Sequence, residues 1–274
     1  MLRERSAIAL LLFPLVAWII AEGSGLFVVS IIGMLAFAAY EYGSLFRAGG
    51  YRPALPLLFL GVIVLVLIRV NFGFEYDYLF LAGISLIAMT WHVVDFERGA
   101  PKSGTDFALT LSGILYIGWI GAFFISIRNL PDGLWWFLLS LLAIWLADAS
   151  AYLFGRRFGR HKLAPRVSPK KTWEGYLAGI GVSIIGSAGL ALLWRFGAGP
   201  DSGINALSGA IIGGVIGTFA PIGDLGISMF KRQIGEKDTG ALLPGHGGIL
   251  DRIDAWLWSA VLGYFLAILL THSG

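Results

Sequence analysis

The chain has 274 residues, 57% of them hydrophobic and only 14% charged, with a formal net charge of +3 and no cysteine; its mean hydropathy is +0.78. Soluble domains carry about 25% charged residues, so this composition excludes an ordinary water-soluble globule and points to a bilayer. The missing cysteines exclude disulfides and thiolate metal sites, and nothing suggests nucleic-acid recognition.

The apolar residues fall in blocks, each near the ~20 residues that cross a bilayer as helix. Nine are expected, so the fold class is all-α: a polytopic integral membrane protein with about nine transmembrane helices. The first five run from Ala7 to Ala21, Gly25 to Phe46, Ala54 to Val70, Tyr78 to Val94 and Phe107 to Ile127. Only Glu22, Gly23 and Ser24 separate the first two, which leaves a short or re-entrant first element open. Arg3 and Arg5 lead into more membrane rather than a small-residue cleavage site, so no cleavable signal peptide is expected. Glu41, near the end of span two, reads equally as an interfacial anchor or a site residue. Tryptophans near span ends, including Trp91, Trp135, Trp136, Trp194, Trp256 and Trp258, read as interfacial anchors.

Span six, Leu134 to Phe154, contains Asp148. An ionised Asp inside an apolar helix costs ~2.5 to 3.5 kcal/mol, so it needs a partner. The basic loop that follows holds the block Ser168-Pro169-Lys170-Lys171-Thr172-Trp173-Glu174-Gly175. Ser168 as cap and Pro169 at the first helical position would leave free N–H groups at a helix start, where phosphate binds well. Lys170 and Lys171 add charge and Thr172 a hydroxyl; Glu174 caps the helix or holds a lysine. The plainer alternative is a basic juxtamembrane loop. Lys162 lies outside the block, and His161 is a weak candidate.

Span seven runs from Tyr176 to Phe196 and span eight from Ile204 to Phe230, with Asp224 behind the helix-loosening Pro221-Ile222-Gly223. Next come Ser228, Lys231, Arg232, Lys237 and Asp238, then His246 before Gly247 and Gly248, then Asp251, Arg252 and Asp254 at the start of span nine, Ala255 to Thr271. Asp251 and Asp254, three apart, share one helical face. The glycines allow close approach of phosphate, and carboxylate-only ligation suits Mg²⁺. His246 is better placed to contact phosphate or organise the turn than to bind hard Mg²⁺. Residues 1–130 read as an N-terminal set of spans and 131–274 as a catalytic set, within one continuous membrane domain.

Nine spans put seventeen cations on one side and leave only Arg69, Arg128 and Arg195 on the other. The positive-inside rule makes the rich side cytoplasmic, with the amino terminus inside and the protein multi-pass in the cell membrane. Arg47, Arg52, Arg98 and Lys102 read there as orienting charges.

Ser228, Lys231-Arg232, Lys237-Asp238, Gly240, Leu243-Pro244, His246-Gly247-Gly248, Asp251-Arg252 and Asp254 together resemble the signature of the phosphatidate cytidylyltransferases (CDP-diacylglycerol synthases), and the Ser168 to Gly175 block is similar to a second family segment. An ordered set over 27 positions is far more specific than a lone glycine motif. The resemblance implies CTP and phosphatidic acid as substrates among membrane lipids, with Asp224 and Asp251 as Mg²⁺ ligands; a second metal, a monovalent cation and a homodimer stay open. It places Asp224, Asp251, Lys237, Asp238, Arg252 and His246 at the chemistry. Asp148, Ser168, Lys170, Lys171, Thr172, Glu174, Ser228, Lys231, Arg232, Gly247, Gly248 and Asp254 would hold substrate. A CTP-dependent polyprenol kinase and a secondary transporter are the rival classes.

Overall fold

The computed structural model describes residues 15–199, 202–240 and 247–272. Among them, eight helical stretches are long and apolar enough to cross a membrane. Most of the expected first span, and the His246 turn, lie outside the described residues. In chain order the helices are α1 (described over residues 15–22), α2 (Gly25–Ala48), α3 (Leu55–Phe72), α4 (Asp77–Glu97), α5 (Ser103–Gly113), α6 (Phe123–Arg128), α7 (Gly133–Phe158), α8 (Trp173–Ala198), α9 (Ala206–Phe219), α10 (Pro221–Ile234) and α11 (Leu250–His272). A π-helical segment, Ile114–Trp119, joins α5 towards α6 within one span, Ser103–Arg128.

Two antiparallel strands interrupt the all-helical pattern: β1 (Lys162–Ala164) pairs with β2 (Ser168–Thr172). This corrects the expected helix start. Pro169 lies in a strand, and α8 begins at Trp173 with Thr172 as its N-cap, its Oγ1 accepting from Gly175 N at 3.3 Å. The hairpin satisfies backbone groups of Ser168 to Thr172 across the pair, so the helix cannot begin until the ladder ends.

Small residues set the helix spacing in the second half. On α8, Gly179, Ser183, Ser187 and Ala191 are buried at intervals of four. Facing them on α9 are Gly209, Gly213 and Gly217, where an added Cβ would meet Ser187, Ser183 and their backbone. Such small-residue stripes let backbones approach where no hydrophobic effect drives helices together. α9 starts on a capping box between Asn205 and Ser208. It is followed at once by Pro221, which has no N–H to continue the ladder, and α10 starts there, bringing Asp224 into its first turn.

α11 packs against α2, α6, α7, α9 and α10. Gly223 makes the α10 contact possible, because a Cβ there would meet the Asp254 carbonyl. Trp136 is fully buried, which corrects its reading as an interfacial anchor. Two of the three minority cations are tied down by the fold, Arg69 buried and Arg128 half-buried. Arg69 pairs with Asp77 and donates to Ser126 Oγ at 2.7 Å, and Arg128 donates to the carbonyls of Ile20 and Ala21 at 2.9 and 2.8 Å.

Candidate active site

Two ammonium–carboxylate pairs, each joining separate elements, define the site. Lys171, at the end of β2, places Nζ 2.6 Å from Asp224 Oδ2 on α10. Lys231, one turn before the end of α10, places Nζ 2.6 Å from Asp251 Oδ1 on α11. Ser228 Oγ donates to Asp224 Oδ1 at 3.2 Å, as their spacing of four on one helix face permits. Asp148 has Lys171 and Asp224 as electrostatic neighbours; buried Asp254 has Asp224, Asp251 and Lys231. Charges from four distant segments thus form one network.

Asp251 also organises the backbone. Its Oδ2 accepts from Thr239 N at 2.9 Å, Thr239 Oγ1 at 3.0 Å and Gly248 N at 3.2 Å. Gly247 has φ +77, a left-handed conformation that favours glycine, and a Cβ there would lie 3.3 Å from Asp251 Oδ2 and 3.6 Å from Asp238 Oδ1. Asp238 therefore approaches the site, while Lys237 is exposed beside it. Arg232 donates to the Val167 carbonyl at 3.4 Å and the Glu236 carbonyl at 3.3 Å, tying α10 to the hairpin rather than pointing inward. Arg252 is exposed on α11.

Beside Asp148 and Lys171 opens a cavity of about 530 Å³ between α7, α8, the hairpin and the Pro221 break. Its lining mixes apolar residues, among them Ala147, Ala151, Tyr152, Leu163 and Gly179, with the cations Arg156, Lys162, Lys170 and Lys171. Lys162 thus belongs to the cavity, contrary to its exclusion at the sequence level, because β1 pairs Lys162 with Thr172. Glu174 holds no lysine: its carboxylate accepts from its own backbone N–H in the first turn of α8, and also from Arg160 N at 3.0 Å and His161 N at 3.2 Å, and meets His161 Nδ1 at 2.6 Å. Glu174 and His161 fasten the loop from α7 into the hairpin. Ser168 lies partly buried in β2, away from any helix start.

Sequence reasoning underrated Glu41 and missed Thr239. Glu41 is only 2% exposed, so it is no interfacial anchor. Its Oε2 accepts from Leu250 N, the first residue of α11, at 2.9 Å and from Thr239 Oγ1 at 3.3 Å. Added Cβ atoms at Gly240 or Gly248 would strike its carboxylate. Thr239 touches both Glu41 and Asp251, so α2 positions the start of α11 and, through it, Asp251. Only the polarity of Glu41 in an apolar span signalled this.

No three His, Asp or Glu side chains converge as a ready metal cage among the described residues. The oxygen donors nevertheless fit Mg²⁺, which is commonly held by one or two carboxylates plus substrate phosphates. Lys171 and Lys231 already place a positive charge against Asp224 and Asp251.

The cytidylyltransferase family model matches residues 3–270 of this chain. A phosphatidate cytidylyltransferase of Staphylococcus aureus (strain COL) is 40% identical over 193 residues, 69% of this chain and 69% of that protein. That of Staphylococcus haemolyticus (strain JCSC1435) is 38% identical over 176 residues, covering 64% of this chain and 65% of the relative.

Proposed function

We propose, because this chain belongs to the cytidylyltransferase family, that its two ion pairs and the adjoining cavity are where CTP and phosphatidic acid react to give CDP-diacylglycerol and pyrophosphate. The observation that carries this is the Lys171–Asp224 pair at the cavity edge. The cavity's apolar lining residues suit the glycerol end of a lipid, and its Arg156, Lys162, Lys170 and Lys171 suit phosphate. The Asp251, Thr239 and Gly248 turn lies on the nucleotide side.

A phosphate monoester is largely doubly ionised near neutral pH, since its second pKa is about 6, so no covalent nucleophile or strong base is needed. The lipid phosphate oxygen attacks the α-phosphorus of CTP, the new P–O bond forms as the bond to the β-phosphate oxygen breaks, and pyrophosphate leaves. Substrate phosphate takes Lys171 from Asp224, and triphosphate takes Lys231 from Asp251. Each exchange frees a carboxylate as it neutralises an arriving charge. Asp224 and Asp251, with Ser228 alongside, are then the residues to hold Mg²⁺, which when bound offsets charge on the reacting phosphates. Lys170, Lys171 and Lys231 otherwise act by position and electrostatics.

In this reading the hairpin and the Asp251 turn face the cytoplasm of a cell membrane, where CTP is present. Purified protein given labelled CTP, phosphatidic acid and Mg²⁺ should release pyrophosphate and a cytidylylated lipid. CDP with a phosphorylated alcohol would instead identify a lipid kinase, and neither product would remove the assignment.

A further inference from the structure

At the ends of α2 and α4, away from the hairpin, two cavities share Trp91 and Asp95. The first, about 470 Å³, is lined by Arg47, Tyr51 and Arg52. The second, about 430 Å³, continues along α4 past Val94, Thr90 and Leu86, with Arg98 at its rim. Together they form a groove that is cationic at one end and apolar along the other. From Leu86 to Arg98 is twelve residues, about 18 Å at 1.5 Å per helical residue, a length comparable to an extended acyl chain.

The cations there are little used by the fold. Arg47 makes one long contact, to the Pro53 carbonyl at 3.4 Å. Lys102 reaches the Gly50 carbonyl at 3.4 Å and lies over the Tyr51 ring. Two carboxylates lie close by, both engaged: Asp95 faces His92 Nδ1 at 3.7 Å, and buried Asp106 accepts from Arg52 N at 2.7 Å. α4 buries only 17% of its apolar window, against 56% for the Ser103–Arg128 span, so this groove opens to lipid. Orienting charge alone requires neither a cavity nor an aromatic ring beside it.

We infer that this groove binds an anionic glycerophospholipid, its phosphate held by Arg47 and Arg52 and one acyl chain laid along Leu86, Thr90 and Val94. Basic pockets between transmembrane helices select anionic headgroups in this manner. The site is separate from the cavity at Asp148 and Lys171 and does not depend on the reaction proposed there.

The test is native mass spectrometry of the full-length protein in detergent, titrated separately with phosphatidylglycerol, phosphatidylethanolamine and phosphatidylcholine. Phosphatidylglycerol should bind in preference to the other two. The pair Arg47→Gln with Arg52→Gln should weaken it about 30-fold, the loss expected for two phosphate-facing cations near a bilayer surface. Thr90→Trp, which fills the apolar half and leaves every charge in place, should weaken it as well, while Lys171→Ala should not. Equal binding of all three lipids, preference for phosphatidylethanolamine, loss only in Lys171→Ala, or displacement of the lipid by millimolar inorganic phosphate would each overturn the inference.

Discussion

Lys171 and Lys231 each hold an aspartate of another element at 2.6 Å, and the functional reading makes both pairs exchangeable for substrate. Asp224→Asn should then lower kcat/KM about 100-fold, the scale for losing one electrostatic stabiliser of transferred charge. Lys171→Ala should lose about 2 kcal/mol of transition-state stabilisation. Arg166→Ala, an exposed hairpin residue outside the cavity, is the matched control and should stay near wild type; equal small losses at Lys171 and Arg166 would remove Lys171 from the site. Glu41 predicts a different pattern. Glu41→Ala leaves Leu250 N without its acceptor while Thr239 Oγ1 keeps Asp251 Oδ2, which should cost about 1 to 3 kcal/mol for an unsatisfied buried group and lower the thermal midpoint of the solubilised protein. Glu41→Gln keeps an acceptor oxygen and should lose distinctly less; equal losses would mean that the hydrogen bonds are not what Glu41 supplies.

At the scale of elements, the break at Pro221 and the stripe between α8 and α9 carry the argument. Gly213→Leu would drive a side chain into the Ser183 carbonyl, and overpacking of this kind costs typically 1 to 3 kcal/mol. The solubilised variant should melt earlier and aggregate more on size exclusion. Gly189→Ala, on α8 with open space around its Cβ, should do neither. The β-hairpin was not legible as a hairpin, because Ser168 to Thr172 carries cap and turn residues that read locally as a helix start. What overrides that preference is pairing with Lys162 to Ala164 and the clamp of Glu174 on Arg160 and His161, contacts that no local propensity encodes. Pro221 was legible as a break, since the missing N–H acts wherever proline falls in a helix.

For the whole molecule, α8 lies between the hairpin and the loop at Ser202, so the two must be on opposite faces of the bilayer. Because the chain has no cysteine, Arg166→Cys and Ser202→Cys can be probed singly with an impermeant thiol reagent. Ser202→Cys should label from outside intact cells and Arg166→Cys only after lysis; the reverse would invert the proposed orientation. The order of the eight spans among the described residues, the carboxylates that interrupt them and the spacing of Ser228 through Asp254 were all readable from the sequence. Hydropathy and the cost of burying charge act locally along the chain, and a spaced motif survives in one dimension. Only the tertiary structure decided that Glu41 caps α11 from 209 residues away, that Lys162 lines the same cavity as Lys171, and that Lys171 rather than Ser168 or Glu174 meets Asp224. Those partners are chosen by which helices pack closely enough to touch, and that depends on small-residue contacts between segments far apart in the chain.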